Sequence, residues 1–281
     1  STLDTFNTAV GYRSGTAVTT GLYNTVLGGE ALKTNVDGDK NTAIGFRALK
    51  SFEADTDGHG NNTAVGANAG ENISTGTENV AIGLQAIGSG VTTGNNNIAV
   101  GVSAGLSLSS GSDNICIGSY AGDAINTGAK NVAIGRSALG SEDAHGKVVA
   151  IGYAALNAQN AGADSYNTAV GYAAGLAVTT GVENTIIGGL AGDALTTGSS
   201  NVALGYNALS TEDAHGRNIA IGSSALTTLN AGADAYNIAI GFNAGYAVTT
   251  GTLNTLVGGL AGDALTEGNH NTVLGYGALS N

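Results

Sequence analysis

The residues best suited to chemistry lie in two copied loops. Glu142-Asp143-Ala144-His145-Gly146 recurs as Glu212-Asp213-Ala214-His215-Gly216. Carboxylates and an imidazole beside a glycine are a donor set for a divalent cation, and carboxylate and carbonyl oxygens suit Ca2+. Neither loop has the alternating aspartates of a Ca2+-binding loop, and each offers few ligands. The first reading of Glu142, Asp143, Glu212 and Asp213 is therefore a solvated outer turn copied by duplication; a Ca2+ site is the second. Asp55-Thr56-Asp57-Gly58-His59-Gly60 and Asp37-Gly38-Asp39 are weaker candidates of the same kind.

Other reactive side chains point away from catalysis. Cys116 stands where related copies of the pattern have Val, Ile or Leu, which makes it a small buried hydrophobe rather than a nucleophile. The histidines have no serine or cysteine partner in the pattern. Asp123, Asp193 and Asp263, each in an Ala-Gly-Asp-Ala corner, read as turn formers, as do Asp164 and Asp234. A reaction centre breaks a repeat at one place, and no pair of carboxylates does so here. The chain is expected not to be an enzyme and to need no cofactor. Tyr12, Tyr166, Tyr172, Tyr206 and Tyr236 can be weighed two ways. In an exposed row they would stack on sugar rings; pointing inward they would be core or corner aromatics, which is the expectation.

What must position these loops is a repeat. Asn167–Gly171 reads NTAVG, and variants of it occur sixteen times, with glycines mostly 17 residues apart. Asparagine stands four residues before every motif glycine except at Val148, and alanine stands three after it in every copy but the first, at Ser14. Above this lies a four-turn super-repeat of 70 residues, in which Asn97, Asn167 and Asn237 begin equivalent blocks. Seventeen residues is too short for paired helices or a leucine-rich unit. Thr168 and Val170 alternate with Ala169 and Gly171, the period of a strand, and glycine then makes a corner.

The unit is therefore one turn of a parallel β-solenoid. Residues 1–281 are expected to form a single all-β domain of about sixteen turns, less regular over 1–96 and regular over 97–281. In regular turns the scaffold falls on Asn167, Val170 and Gly171, on Asn184, Ile187 and Gly188, and on Asn201, Leu204 and Gly205. The asparagines are expected to form a hydrogen-bonded stack and Val170, Ile187 and Leu204 an inner apolar ladder. Where the middle strand residue is large (Val26, Cys116, Ile186, Leu256), the residue after the motif glycine is small (Gly29, Ser119, Gly189, Gly259). A dense core would couple them in this way.

Composition sets outer limits. The chain has 47 glycines, no proline and a formal charge of −12, with 42% hydrophobic residues recurring in register. Such acidity argues against nucleic acid or anionic lipid as partners. No run of residues is long and apolar enough for a membrane span, and one cysteine excludes an internal disulfide.

NVAIG at Asn79–Gly83 and Asn131–Gly135 resembles the head repeat of YadA-like trimeric autotransporter adhesins. NTAVGYAAGLAVTTG at Asn167–Gly181 looks like repeats of phage tail-fibre proteins. The resemblance covers essentially the whole chain, and its period of 17 is longer than that of the adhesin heads. It implies a left-handed β-roll, three chains side by side, and an attachment role outside the cell, on a virion tail fibre or a bacterial surface. A cell-surface glycan or receptor would then be the outside partner. The alternative is a solenoid that itself binds glycan or ice. Ice binding needs an unbroken Thr-x-Thr row, whereas Thr179-Thr180 and Thr196-Thr197 are followed by other loops.

Overall fold

The computed structural model describes residues 5–54, 56 and 58–280. The chain divides into two compact units, Ser1–Ser137 and Ala138–Asn281. The first carries β1 (Thr8–Val10) to β8 (Val132–Ile134) and the second β9 (Val149–Ile151) to β16 (Thr272–Leu274). Every strand has three residues and, within its unit, pairs in parallel with the next. No helix occurs among the described residues. The fold is the parallel β-solenoid that the 17-residue period predicts.

Backbone hydrogen bonds run from turn to turn. In the second unit β10 (Thr168–Val170) sets Thr168, Ala169 and Val170 against Thr185, Ile186 and Ile187 of β11 (Thr185–Ile187). Thr185 N–H donates to Asn201 O at 2.9 Å, and Gly188 N–H to Val170 O at 2.8 Å. The asparagines stack as expected. Asn184 N–H donates to Asn167 Oδ1 at 2.7 Å and Asn201 N–H to Asn184 Oδ1 at 2.9 Å. Their Nδ2 groups turn the other way: Asn167 donates to Gly181 O at 2.7 Å and Asn184 to Gly198 O at 2.9 Å. Each buried amide is thus satisfied on both sides, which avoids the roughly 1–3 kcal/mol cost of an orphaned group.

The strand faces are opposite to the expected ones. Ala169, Ile186 and Ala203 are completely buried, whereas Val170 and Ile187 are half-buried and Leu204 is 40% exposed. Alternation ties a residue to its neighbours two places away, but which set points inward is fixed by the asparagine. Asn167 must face inward to reach its stack, so Ala169 follows it inward and Val170 turns out. The inner ladder is the middle strand residue, not the one before the glycine.

The coupling of large and small residues also has another cause. Gly189 lies outside the core, beneath the next turn's aromatic ring: a Cβ there would sit 3.7 Å from Tyr206 Cδ2. Inside, the exchange involves the residue four after the motif glycine. Where that residue is Leu, as at Leu156 and Leu209, the middle strand residue is Ala; Ile186 instead faces Gly175 and Gly192. A Cβ on Gly175 would come within 2.9 Å of Ile186 Cδ1. Volume conservation holds, at a different pair of positions.

Two features close each turn. Gly171 has φ +142°, as Gly188 and Gly205 have +135° and +139°. A Cβ on Gly171 would stand 2.5 Å from Gly188 O, so the corners approach too closely for any side chain. Two residues on, Ala173, Leu190 and Asn207 hold left-handed conformations at φ +51°, +57° and +53°. Their N–H groups are thereby aimed at the previous turn: Ala173 donates to Tyr153 O at 2.8 Å and Leu190 to Tyr172 O at 2.9 Å. The conformation costs about 1–2 kcal/mol per residue and is offset by a continuous ladder.

Candidate functional site

The copied acidic loops are solvated at Asp143 and Asp213, as expected, but not at their glutamates. Glu142 and Glu212 are completely buried, seven residues after a motif glycine, a column that elsewhere holds Leu108, Ile125, Val178, Leu195 and Leu229. Glu142 Oε1 accepts from His145 N–H at 3.1 Å, and its Oε2 accepts from Ala161 N–H of the next turn at 3.3 Å. Glu212 repeats this with His215 N–H at 3.2 Å and Ala231 N–H at 3.3 Å. Each carboxylate is a clamp between consecutive turns, charge-assisted and supported by a half-buried imidazole. His215 Nδ1 lies 3.3 Å from Glu212 Oε1, and His145 Nδ1 lies 3.7 Å from Glu142 Oε1.

A second clamp adjoins the first. Asp164 Oδ1 accepts from Gly146 N–H at 3.1 Å and Asp234 Oδ1 from Gly216 N–H at 3.0 Å. Their other oxygens pair with Lys147 and Arg217 respectively. The Lys147 hydrogen bond holds the Asp164 carboxyl below the usual range, and the Gly146 N–H adds to this. The Asp164 bond in turn pushes the Lys147 ammonium upward. Lys147 and Arg217 also lie over the rings of Tyr166 and Tyr236, at 5.0 and 5.4 Å. The loops therefore hold turns together.

As metal ligands the four candidates fare unequally. Glu212, Asp213 and His215 bring one ligand atom each within 4.8 Å of one another; among the described residues no other such group forms, so Glu142 and Asp143 are not brought together in this way. Asp143 and Asp213 are exposed, and both oxygens of Glu212 already accept backbone N–H groups. Ca2+ requires six to eight oxygens. One open carboxylate and an imidazole do not fit it.

Asp55 and Asp57 lie outside the described residues. Gly58, His59 and Gly60, with Thr77, Glu78 and Asn95, line a shallow polar depression of about 280 Å3. Asp39 Oδ1 accepts from Leu22 N–H at 2.7 Å, again joining two turns. Burial pushes the carboxyls of Asp123 and Asp193 up. Cys116 is buried, and desolvation, with Asp123 nearby, raises its thiol to about 12, so it is inert at neutral pH.

The aromatics contradict the core expectation. Tyr12, Tyr166, Tyr172, Tyr206 and Tyr236 are all exposed, Tyr12 by 74%. Tyr153 and Tyr172 stack on adjacent turns with ring centroids 5.3 Å apart and planes 9° from parallel. The motif glycine turns the chain outward immediately before this position, so an aromatic there can reach only the surface. The threonines are engaged within the scaffold: Thr179 Oγ1 donates to Thr196 O at 3.1 Å and Thr196 Oγ1 to Asp213 O at 2.7 Å.

Gln159 carried no weight in the sequence, yet it is completely buried and its Oε1 accepts from Asn167 Nδ2 at 2.8 Å. The signal that marks it is Val148, the one break in the asparagine row, eleven residues earlier in the same turn.

No family model matches this chain, and neither a curated protein nor a solved structure matches it.

Proposed function

We propose that this chain is a structural segment of an attachment fibre, a rigid solenoid that associates with two further copies of itself and displays its loops outward. The observation that carries this reading is the outer face of the strands. In every strand the first and third residues are Thr, Val, Ile or Leu, and no charge interrupts them. In the second unit Val202 and Leu204, Ile219 and Ile221, and Ile238 and Ile240 form two adjoining apolar columns on successive turns. Contiguous apolar surface of this kind marks an association site. The wider chain is acidic, but no acid stands within any strand, so the two columns themselves carry no charge to repel a like copy.

Resemblance to trimeric adhesin heads and phage tail fibres supports three as the copy number and a virion or bacterial surface as the setting. Light scattering should give about three times 27.3 kDa for the native protein. Ile187→Asp should dissociate the assembly while leaving the β-type circular dichroism spectrum in place, because Ile187 faces out. A monomeric wild-type mass would sink the association reading.

A second reading rests on the exposed aromatics. Tyr206, Phe242 and Tyr276 are 57%, 59% and 82% exposed, on alternate turns. Rings so placed suit stacking on the apolar faces of sugars. Retention on glycan-bearing resins that survives Tyr206→Ala and Tyr276→Ala would rule this out.

A further inference from the structure

One turn of the second unit carries buried polar atoms that its sister turn lacks. Gln159 Nε2 and Ser165 Oγ are both buried without a protein hydrogen-bond partner. Gln159 is completely buried and Ser165 is 1% exposed. One super-repeat later the same places hold Leu229 and Ala235, also completely buried. A third difference accompanies these two: Val148 stands where the sister turn has Asn218. Asn237 N–H donates to Asn218 Oδ1 at 3.2 Å, and Val148 has no oxygen to offer Asn167 N–H in the same way.

These groups share one neighbourhood. Gln159 Oε1 is bonded to Asn167 Nδ2, which places the glutamine amide against the asparagine. Ser165, exposed Tyr166 and buried Asn167 alternate in burial, so Ser165 and Asn167 face the same interior. The orientation of the glutamine amide is also fixed. Asn167 Nδ2 is held by Gly181 O at 2.7 Å and is thereby identified as the donor, so Gln159 must turn its oxygen to it and its nitrogen away.

We propose that this turn binds a single buried water molecule between Gln159, Ser165 and Asn167. Water matches the donor pattern: its two lone pairs take Gln159 Nε2–H and Asn167 N–H, and one of its hydrogens goes to Ser165 Oγ. Three hydrogen bonds is the usual number for a buried water, and leaving a buried amide N–H and a hydroxyl unpaired together is costly. The Val148, Gln159 and Ser165 set is then one coordinated exchange in which a solvent molecule replaces the missing asparagine oxygen. The inference is independent of how the chain associates.

A crystal structure of the full chain at high resolution tests this. A density peak at hydrogen-bonding distance from both Gln159 Nε2 and Ser165 Oγ is expected, with no peak at Leu229 and Ala235. The triple variant Val148→Asn, Gln159→Leu, Ser165→Ala should lose the peak and melt at or above the wild-type temperature. Wild-type crystals without such a peak overturn the proposal, as does a peak that follows added chloride or bromide by anomalous scattering, which would make the guest an anion. The wild-type result decides the matter even if the triple variant folds poorly.

Discussion

The turn from Val148 to Asn167 and its sister from Asn218 to Asn237 have the same strand register, the same corner glycines and the same glutamate clamps, yet they divide polarity differently. The sister turn keeps its amide in the asparagine row and fills the column behind it with Leu229. The other turn puts an apolar Val148 into the row and an amide, Gln159, into the column. In both, the next asparagine finds a side-chain oxygen: Asn237 N–H from Asn218, and Asn167 Nδ2 from Gln159. A solenoid turn therefore specifies the number of interior acceptors more strictly than their address. The row and the column can trade a polar side chain as long as both change together.

Breaking that linkage on the column side should have the largest effect. Leu229→Gln alone buries a second amide in a turn whose Asn218 already supplies the acceptor for Asn237 N–H. The new oxygen can take the Asn237 Nδ2 hydrogen that Gly251 O leaves open, but the new Nε2, like that of Gln159, meets no protein acceptor. The substitution should cost on the order of 3 kcal/mol, from lost apolar burial and an unpaired buried amide. In an Asn218→Val background the same change should cost less, with a coupling of about 0.5–3 kcal/mol between the two positions. Urea denaturation of the two singles and the double gives this number directly. Additive costs would mean that the two turns are unrelated variants and not alternative solutions.

Breaking it on the row side is a smaller change. Asn218→Val removes the Oδ1 that accepts from Asn237 N–H, together with a bond from its own Nδ2 to Gly216 O at 3.2 Å. No new polar group is buried, so the loss should be about 1–2 kcal/mol. A loss greater than that of Leu229→Gln would reverse the ranking of row and column.

The repeat itself made most of this architecture legible. A 17-residue period, β-branched triplets and invariant corner glycines lead to sixteen short parallel strands, and the asparagine row announces its own hydrogen bonding. What the pattern concealed was direction. Ile186 and Ile187 are alike in chemistry and adjacent in sequence, but Ile186 is buried and Ile187 is not. Only the demand that Asn184 face inward separates them. The left-handed corners at Ala173 and Leu190 gave no sign either, because those residues disfavour that conformation and adopt it to keep the ladder paired. Glu142 and Glu212 were misread for a related reason. An acid in a polar loop looks solvated until its place in the stack, seven residues past the corner, is known to be a core column.

The smallest expected effect is the most discriminating. Val148→Asn restores the row in the turn that already has its acceptor in the column. The introduced amide would supply an oxygen to Asn167 N–H and could donate to Gly146 O, as Asn218 donates to Gly216 O in the sister turn. Against this gain stand the lost apolar contacts of valine and a second oxygen close to Asn167, whose Nδ2 is already fully used by Gln159 and Gly181. The two should nearly cancel, leaving stability within about 0.5 kcal/mol of wild type, as for substitutions that neither orphan a polar group nor open a cavity. Adding Gln159→Leu should then stabilise, since the column regains an aliphatic side chain and the row already carries the acceptor. If Val148→Asn alone costs as much as Asn218→Val, the row tolerates no exchange in either direction. Gln159 would then be an isolated polar substitution rather than the partner of Val148.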